Sequence, residues 1–363
     1  APSFPGMTVV GAPPGSEAFH SEIRDCRAAL VSGHAANYFF LAAPHVPVAV
    51  DWYDPFLVEN FQYLDSLGEG VEANDRAAWH LALNRADLFL CASEEQRLFY
   101  LGMLVQGGRV DARLISRDPG ARSLLRVVPF GVERAAPADP EPVRRRIGAR
   151  EGDPVLYFGG LYDWHDPDPL FRAWPELLAE FPSLRVIFCE NPNRESTPQR
   201  VYDAAVALAG RRGWLDRSVF FLPWTPYERR GELYGASTLA VCVCRPGLET
   251  DLSFRTRLLD SAAYGLPSVV LQGGGLAREL SAAGAGASVR DEDGLRGAIG
   301  DSLRDERRRG EASARARLFA ADYAWGRVAR PVVEFFEKPV VSDRLDFPQA
   351  RPRAPFRLLR RGR

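Results

Sequence analysis

The fold of this chain is decided by the stretch ETDLSFRTRLLDSAAYGLPSVV, residues 249–270. It has the pattern of a polar loop, a short helix carrying a carboxylate, and a Gly-Leu-Pro turn into a buried strand. A helix N-terminus presents backbone N–H groups and the positive end of its dipole, which favour a phosphate. The stretch therefore predicts an anion site in an α/β protein. The alternative is an ordinary helix-to-strand connection with solvated charges.

Apolar strand-like runs alternate with helical patterns on both sides of this stretch. The predicted strands are 7–11, 28–32, 46–51, 86–92, 125–129, 154–158, 185–189, 219–222, 239–243, 268–271 and 287–289. The predicted helices are 59–67, 75–84, 94–106, 167–180, 197–209, 227–234, 256–264, 275–283 and 292–309. Such alternation indicates parallel sheets with helices on both faces.

The stretch at 249–270 is accompanied by DWYDP at 51–55, VPFGV at 128–132, PWTPY at 223–227 and AWGRV at 324–328. In this order the segments resemble the nucleotide-sugar glycosyltransferases of the two-domain GT-B fold, in particular the retaining family 4 group. The resemblance covers most of the chain. It implies two doubly wound Rossmann-like α/β domains that face a cleft.

The proline-rich segment AAPADPEP at 135–142 lacks apolar periodicity and predicts a linker. We therefore expect an acceptor-side domain over 1–136, a nucleotide-sugar-binding domain over 137–323, a crossover helix over 324–339 and a basic tail over 340–363. Family members open with a strand and a glycine-rich loop, whereas this chain opens with APSFPG. The first domain is therefore expected to be incomplete, either because that part is absent or because the chain is a fragment.

The composition gives limits on compartment and partners. A formal net charge of −1 gives no indication of nucleic-acid binding. The five cysteines lie in apolar surroundings without metal-ligand spacing, and Cys242 and Cys244 are expected to be small core residues on one strand face. The odd cysteine count, with no signal peptide, fits a reducing cytoplasm. No apolar run reaches the roughly 20 residues needed to cross a bilayer.

The C-terminal tail is strongly basic. Residues 344–363 hold seven arginines and one acid, together with two phenylalanines and three leucines. Such a segment could contact the anionic inner face of a membrane. A disordered solubilising tail explains the same composition equally well.

Two segments of the first domain are candidates for the acceptor side. Carboxylates and aromatic rings follow the strand at 46–51, where the carboxyl end of a parallel strand would face a ligand crevice. Asp54 is the catalytic candidate here, and an Asp-Pro turn that caps the next helix is the alternative. Ser93 is expected to cap a helix with Gln96 at the capping-box position. A further role at the crevice is open for Glu94, Gln96 or Arg97.

The resemblance implies the phosphate and base contacts of the second domain. Gly159 and Gly160 would let the backbone approach the diphosphate. Relatives often carry Arg and Lys in this loop, where the present chain has Asp163, Trp164 and His165, so His165 becomes a candidate phosphate ligand. The loop at 223–227 would hold the base, with Trp224 and Thr225 as candidates. Core packing is the more frequent fate of a tryptophan.

The resemblance also assigns roles within 249–270. Asp260 matches the family's second glutamate, which binds the ribose, whereas the residue eight positions earlier is Leu252 where relatives have an acid. The carboxylate for the donor sugar would then come from Glu249 or Asp251. The remaining candidates are Phe254 and Thr256 for the diphosphate and Arg255 for the leaving group, because departing phosphate requires positive charge.

The function implied is transfer of a sugar from a nucleotide diphosphate sugar to a hydroxyl of a glycan, a lipid-linked acceptor or a small molecule, with retention at the anomeric carbon. No cofactor and no metal are expected. One alternative is a non-catalytic subunit that binds a nucleotide sugar or a partner chain. Another is a nucleotide-sugar epimerase, whose catalytic carboxylates and histidine cannot be assigned in this sequence.

Overall fold

The computed structural model describes residues 6–63, 68–133, 135–136, 138–193 and 197–342. Its strands form two parallel sheets. The four-stranded sheet has the order β1-β2-β3-β4 and consists of β1 (Ala29–Ser32), β2 (Val48–Asp51), β3 (Leu88–Cys91) and β4 (Leu125–Val127). The six-stranded sheet has the order β10-β9-β8-β5-β6-β7 and consists of β5 (Val155–Gly160), β6 (Arg185–Cys189), β7 (Val219–Leu222), β8 (Leu239–Val243), β9 (Ser268–Leu271) and β10 (Gly286–Val289).

Helices connect these strands throughout the described residues. In the first part they are α1 (Glu17–Ile23), α2 (Ala35–Ala42), α3 (Phe56–Asn60), α4 (Glu69–Arg85), α5 (Glu94–Gln106), α6 (Ala112–Arg117) and α7 (Glu141–Arg146). In the second part they are α8 (Asp168–Glu180), α9 (Arg200–Arg211), α10 (Arg230–Ala236), α11 (Leu248–Leu252), α12 (Thr256–Ala263), α13 (Gly274–Ala282), α14 (Glu292–Arg304), α15 (Glu306–Ala321), α16 (Trp325–Val328) and α17 (Arg330–Glu337). Within the described ranges, no helix is both long and apolar enough to span a bilayer.

The six-stranded sheet reverses its winding between β5 and β8. From β5 the chain adds β6 and β7 on one side, then returns to place β8, β9 and β10 on the other. In open α/β sheets, ligands bind at the carboxyl ends of the strands where the winding reverses. The loops after β5 and β8 are therefore the two that this topology points to.

Each sheet has its own apolar core. The first core contains an aromatic cluster in which Trp52 contacts Phe89 and Tyr100, with ring centroids 4.4 and 4.8 Å away. In the second core Phe158 packs on Phe188 at 4.9 Å. The first sheet lies before residue 128 and the second after residue 154. The predicted boundary at residue 136 remains a prediction, and the tail at 344–363 lies outside the described residues.

The chain returns from the second sheet to the first at the predicted crossover. Val132 forms a parallel bridge with Ala324, and its N–H donates to the Tyr323 carbonyl at 2.8 Å. The indole of Trp325 lies so close to Gly131 that a Cβ there would be 2.4 Å from a ring carbon. A side chain at residue 131 would require the indole to move, which explains the glycine of the Pro-Phe-Gly-Val segment.

The α/β class and most predicted strands are confirmed, but the strand at 7–11 is wrong. No strand forms there within the described residues, and the side chains of Met7, Val9 and Val10 are exposed. An apolar run of five residues predicts a strand only if a neighbour is available to hydrogen-bond its backbone. The helix predicted at 59–67 divides into α3 and a 3₁₀ turn at Phe61–Tyr63, and 64–67 lie outside the described residues. The patterns missed α1, α2, α6, α7 and α11, which are five to eight residues long. The helix predicted at 292–309 joins α14 to the start of α15, and most of the 16-residue α15 was not predicted.

Gln96 joins the two halves of the cleft. Its side-chain amide donates to the Tyr53 carbonyl at 2.8 Å and the Leu252 carbonyl at 2.9 Å, and accepts from the Ala92 N–H at 2.7 Å. The capping-box expectation was half right. Ser93 caps α5 by accepting from the Gln96 N–H, but the Gln96 side chain extends across the cleft instead of returning to Ser93.

We expect Gln96→Ala to lower the free energy of unfolding by about 3 kcal/mol, because three buried backbone groups would lose their partner at about 1–3 kcal/mol each, offset where water enters. Urea unfolding measures this. Gln106→Ala, an exposed glutamine on the same helix, is the matched control. A difference between the two variants under about 0.5 kcal/mol, the range of ordinary surface substitutions, would refute the clamp.

Candidate active site

The cleft between the two sheets holds a cluster of three carboxyl groups around one arginine. Asp54 follows β2, Glu59 lies on α3, and Glu249 on α11 approaches from the second sheet. Arg255 lies between the halves and acts electrostatically on all three acids and on Tyr53. The structure thus brings the predicted residue Asp54 together with Glu249 and Arg255, which lie 195 and 201 positions later in the sequence.

Arg255 is buried, with 6% of its surface exposed. Its Nη2 donates to the Glu249 carboxylate at 2.7 Å and to the Thr250 hydroxyl at 3.2 Å. Its Nε has no hydrogen-bond partner among the described residues. A guanidinium remains charged in proteins, so a fixed positive charge with one unsatisfied donor lies at the start of α12. No side chain caps that helix N-terminus.

The carboxyl groups of Asp54 and Glu59 are hydrogen-bonded to each other. Asp54 reaches solvent in the cleft but has protein on its flanks, and this burial raises its pKa. Burial, followed by the charge of Asp54, raises the pKa of Glu59 to about 8. Two carboxylates in contact do not both ionise. At neutral pH the two carboxyl groups therefore share one proton.

The two acids proposed for the donor sugar, Glu249 and Asp251, differ in burial and in their contacts. Glu249 is buried in the ion pair with Arg255, whereas Asp251 is exposed on α11 and takes no part in that pair. Leu252, at the position where relatives have an acid, is buried in the first core. Glu249 is thus the carboxylate that faces the cleft.

A cavity of about 680 Å³ opens beside Glu249 and Thr250. One wall comes from α3 and the 3₁₀ turn of the first domain, and the other from the loops after β5 and β8 and the start of α9. Asp163 in this wall binds Arg200 at 2.8 Å. The volume of the cavity falls within the roughly 300–1,000 Å³ that is typical of small-molecule sites.

The loop after β5 is held by Arg257. Its Nη1 donates to the carbonyls of Phe158 and Gly160 at 3.1 and 2.9 Å. Gly159 has a φ of +82°, in the left-handed region that favours glycine. Arg257 therefore positions the Gly-Gly turn, and Arg255 is the cation left for a leaving group.

His165 does not reach the cleft. It is fully buried, and its Nδ1 accepts the Tyr162 N–H at 3.0 Å. Desolvation lowers its pKa, so the ring is neutral. With the Nδ1 lone pair engaged, the proton lies on Nε2. In this state His165 provides no positive charge for a phosphate.

His165 lies instead beside Cys242 and Cys244, whose Sγ atoms are 3.7 Å apart. The three ligand atoms lie within 4.8 Å of one another. A protonated Nε2 offers a donor where a metal needs a lone pair, so this tautomer does not fit a metal ion. The chain spacing gave no signal of the cluster, because His165 lies 77 and 79 positions before the two cysteines. The prediction that both cysteines share one buried face is confirmed.

A second group of candidates surrounds the start of α10. Trp224 is 51% exposed, so the core-packing alternative does not hold. Arg230 lies 3.6 Å from the Tyr227 ring centroid and pairs with Asp260 at 2.9 Å. Burial raises the pKa of Asp260. Neighbouring Thr225 is half-buried. The loop after β7 thus carries an exposed indole, and the start of α10 carries the guanidinium that holds the Asp260 carboxylate.

Phe254 and Thr256 lie between the two groups. Phe254 is buried against Tyr323, with ring centroids 6.1 Å apart, and Thr256 is the first residue of α12. The backbone of this turn connects Arg255 to the helix that carries Asp260. The side chain of Phe254 thus serves packing, and only its backbone faces the cleft end of the helix.

This arrangement has counterparts among known proteins, although no protein-family profile matches the chain. A structure of Anabaena HepE in complex with UDP-glucose is 19% identical with a TM-score of 0.63, over 85% of this chain and 78% of that one. The chain has the GT-B fold. A second GT-B neighbour, trehalose-6-phosphate from E. coli bound with UDP-2-fluoro glucose, has a TM-score of 0.63 at 15% identity, over 87% of this chain and 74% of that one.

Comparison of the amino-acid sequence with curated proteins also finds glycosyltransferases. A D-inositol 3-phosphate glycosyltransferase of Frankia alni is 31% identical over 212 residues, which are 56% of this chain and 50% of that protein. Its namesake in Geodermatophilus obscurus is 30% identical over 253 residues, or 66% of this chain and 53% of that protein. The chain spans about half the length of these curated relatives. The predicted resemblance to GT-B glycosyltransferases is confirmed.

The sequence analysis did not identify two residues of this GT-B cleft, Glu59 and Arg230. Glu59 is five positions after Asp54, and the bend at Pro55 into α3 is what brings both carboxyls together. Arg230 begins α10 just after the predicted base loop. A cation directly after that loop, and a second acid after an Asp-Pro turn, are the signals that could have indicated them.

Proposed function

We propose that this chain transfers a sugar from a nucleotide diphosphate sugar to an acceptor hydroxyl, with retention at the anomeric carbon and without a metal ion. The observation that carries the proposal is the buried Arg255, held by Glu249 at the uncapped N-terminus of α12. A fixed cation and a helix N-terminus together stabilise the negative charge that develops on a departing diphosphate.

The donor would span both groups of candidates. The base would lie against Trp224, the ribose hydroxyls would donate to Asp260, and the diphosphate would lie near the Gly159–Gly160 turn and α12. The sugar would then occupy the cleft beside Glu249. The neighbouring structures in complex with UDP-glucose and UDP-2-fluoro glucose support a uridine nucleotide as the first donor to test.

The acceptor would enter through the cavity beside Glu249. The curated relatives are named for an inositol phosphate acceptor, which supports a polyhydroxylated acceptor here. In the reaction the bond from the anomeric carbon to the diphosphate oxygen breaks. The acceptor oxygen then bonds to the same face of that carbon, and its proton passes to the departing phosphate. Because the departing phosphate takes this proton, no separate base is required. Asp54 would accept a hydrogen bond from a hydroxyl in the cleft.

The expected result is nucleotide binding and donor turnover without added metal. Thermal shift with UDP-, GDP- and TDP-sugars identifies the donor base, and release of nucleoside diphosphate in the presence of EDTA tests metal independence. NMR of the product should show the donor's anomeric configuration. An inverted product would refute retention, and binding without turnover of any donor and acceptor would favour a non-catalytic binding subunit.

A further inference from the structure

We infer that Glu59 is a positioning residue of the proposed transfer site. It donates a hydrogen bond to Asp54 and thereby holds that carboxylate toward the acceptor hydroxyl. This inference rests on the proposed function for the role of Asp54. The shared proton itself does not depend on it.

The geometry carries the first step. Asp54 lies in the turn before Pro55, and Glu59 lies in the first turn of α3, so their carboxyls meet across the start of the helix. The preceding residue is fixed as well, since the Tyr53 carbonyl accepts from the buried amide of Gln96. The Asp54 carboxylate therefore has a defined direction, and Glu59 is the group that sets it.

The surroundings supply an independent indication that a ligand completes this site. Arg255 is 94% buried, acts on both carboxyls, and keeps an Nε donor without a partner among the described residues. Buried donors are normally satisfied. Neighbouring Val58 and Phe61 line the cavity of about 680 Å³ together with Glu249, so an acceptor in it would lie beside the carboxylate that pairs with Arg255.

The proton also has a consequence for the pH dependence of stability. The pKa of Glu59 is raised to about 8, whereas a glutamate in the unfolded chain titrates near 4.3. Between these values the folded protein holds a proton that the unfolded chain has released. Stability therefore falls as the pH rises through this window, and the loss is complete above about pH 8. The titratable and charged groups near Glu59 are Asp54, Glu249 and Arg255, together with the phenols of Tyr53 and Tyr63.

Melting curves from pH 5 to pH 9 test the shared proton without any substrate. Glu59→Gln keeps a donor and cannot ionise. We expect the difference in melting temperature between this variant and wild type to increase in favour of the variant by about 2 °C or more from pH 5 to pH 8.5. Glu22→Gln, at an exposed site on α1, is the matched control and should track wild type. A constant difference between Glu59→Gln and wild type across this range would overturn the shared proton.

Turnover tests the positioning role. With UDP-glucose as the probe, or the donor that the nucleotide panel identifies, kcat of wild type should fall above pH 8. Glu59→Gln should keep its activity there. Glu59→Ala should lose about tenfold in kcat below pH 8, where wild type still holds the orienting hydrogen bond, and its kcat should not fall further at higher pH. The same high-pH fall in wild type and Glu59→Gln would refute the role. Absence of all turnover in wild type would refute the proposed function, while the melting result would still decide on the proton.

Discussion

Replacement of Arg255 by glutamine is expected to lower kcat by about 10²–10³-fold, the usual loss when a preorganised charge opposite a developing oxyanion is removed. Arg255 is the buried cation of the cleft and lies at the start of α12. Arg257 cannot replace it, because its guanidinium is bonded to the carbonyls of the β5 turn. Rates of nucleoside diphosphate release measure the effect.

The same substitution should also destabilise the fold. Glu249 is 9% exposed and would be left as an unpaired buried carboxylate, a change that typically costs about 3–5 kcal/mol. The double variant Arg255→Gln/Glu249→Gln removes both charges and separates the two effects. We expect it to recover most of the stability and little of the turnover. Recovery of kcat along with stability would mean that Arg255 supports only the fold.

The fold could be predicted largely from sequence because the pattern of the second sheet repeats. Buried strands such as β6 and β8 consist of apolar runs, and each is followed by polar loop residues. The short helices α1 and α2 of the first part lack such periodicity and were missed. The apolar run at 7–11 carried a strand signal, but strand formation depends on a paired neighbour.

The site was less predictable, because side-chain direction is set by packing. His165 and Trp224 both follow strands and were both candidates for the cleft, although core packing is the more frequent fate of a tryptophan. A single backbone bond from Tyr162 fixes the ring of His165 inside the core, whereas Trp224 remains on the surface. A sequence gives the order of such residues along the chain, but it does not determine whether each side chain is buried or exposed. The same limit hid Arg230, whose partner Asp260 is 30 positions away.

The pair formed by Asp260 and Arg230 sharpens the prediction for the donor nucleotide. Asp260→Asn should lower the affinity for the matching nucleoside diphosphate by about tenfold to a hundredfold, since a hydrogen bond to a charged group contributes roughly 1.5–3 kcal/mol. In the structure the carboxylate already pairs with Arg230 at 2.9 Å and is partly buried. The variant will therefore also lose some stability, and calorimetric affinity is the measurement that decides.

Arg230→Gln is the control that separates ribose binding from support of the fold. It breaks the same ion pair but leaves the Asp260 carboxylate in place to accept from the ribose hydroxyls. If Asp260 binds the nucleotide, Asp260→Asn will weaken binding well beyond Arg230→Gln, although both lose similar stability. If the two variants bind within about twofold of each other and of wild type, well under the ~1.4 kcal/mol of a tenfold change, then Asp260 serves only to hold Arg230. The donor site would then have to be sought away from α12.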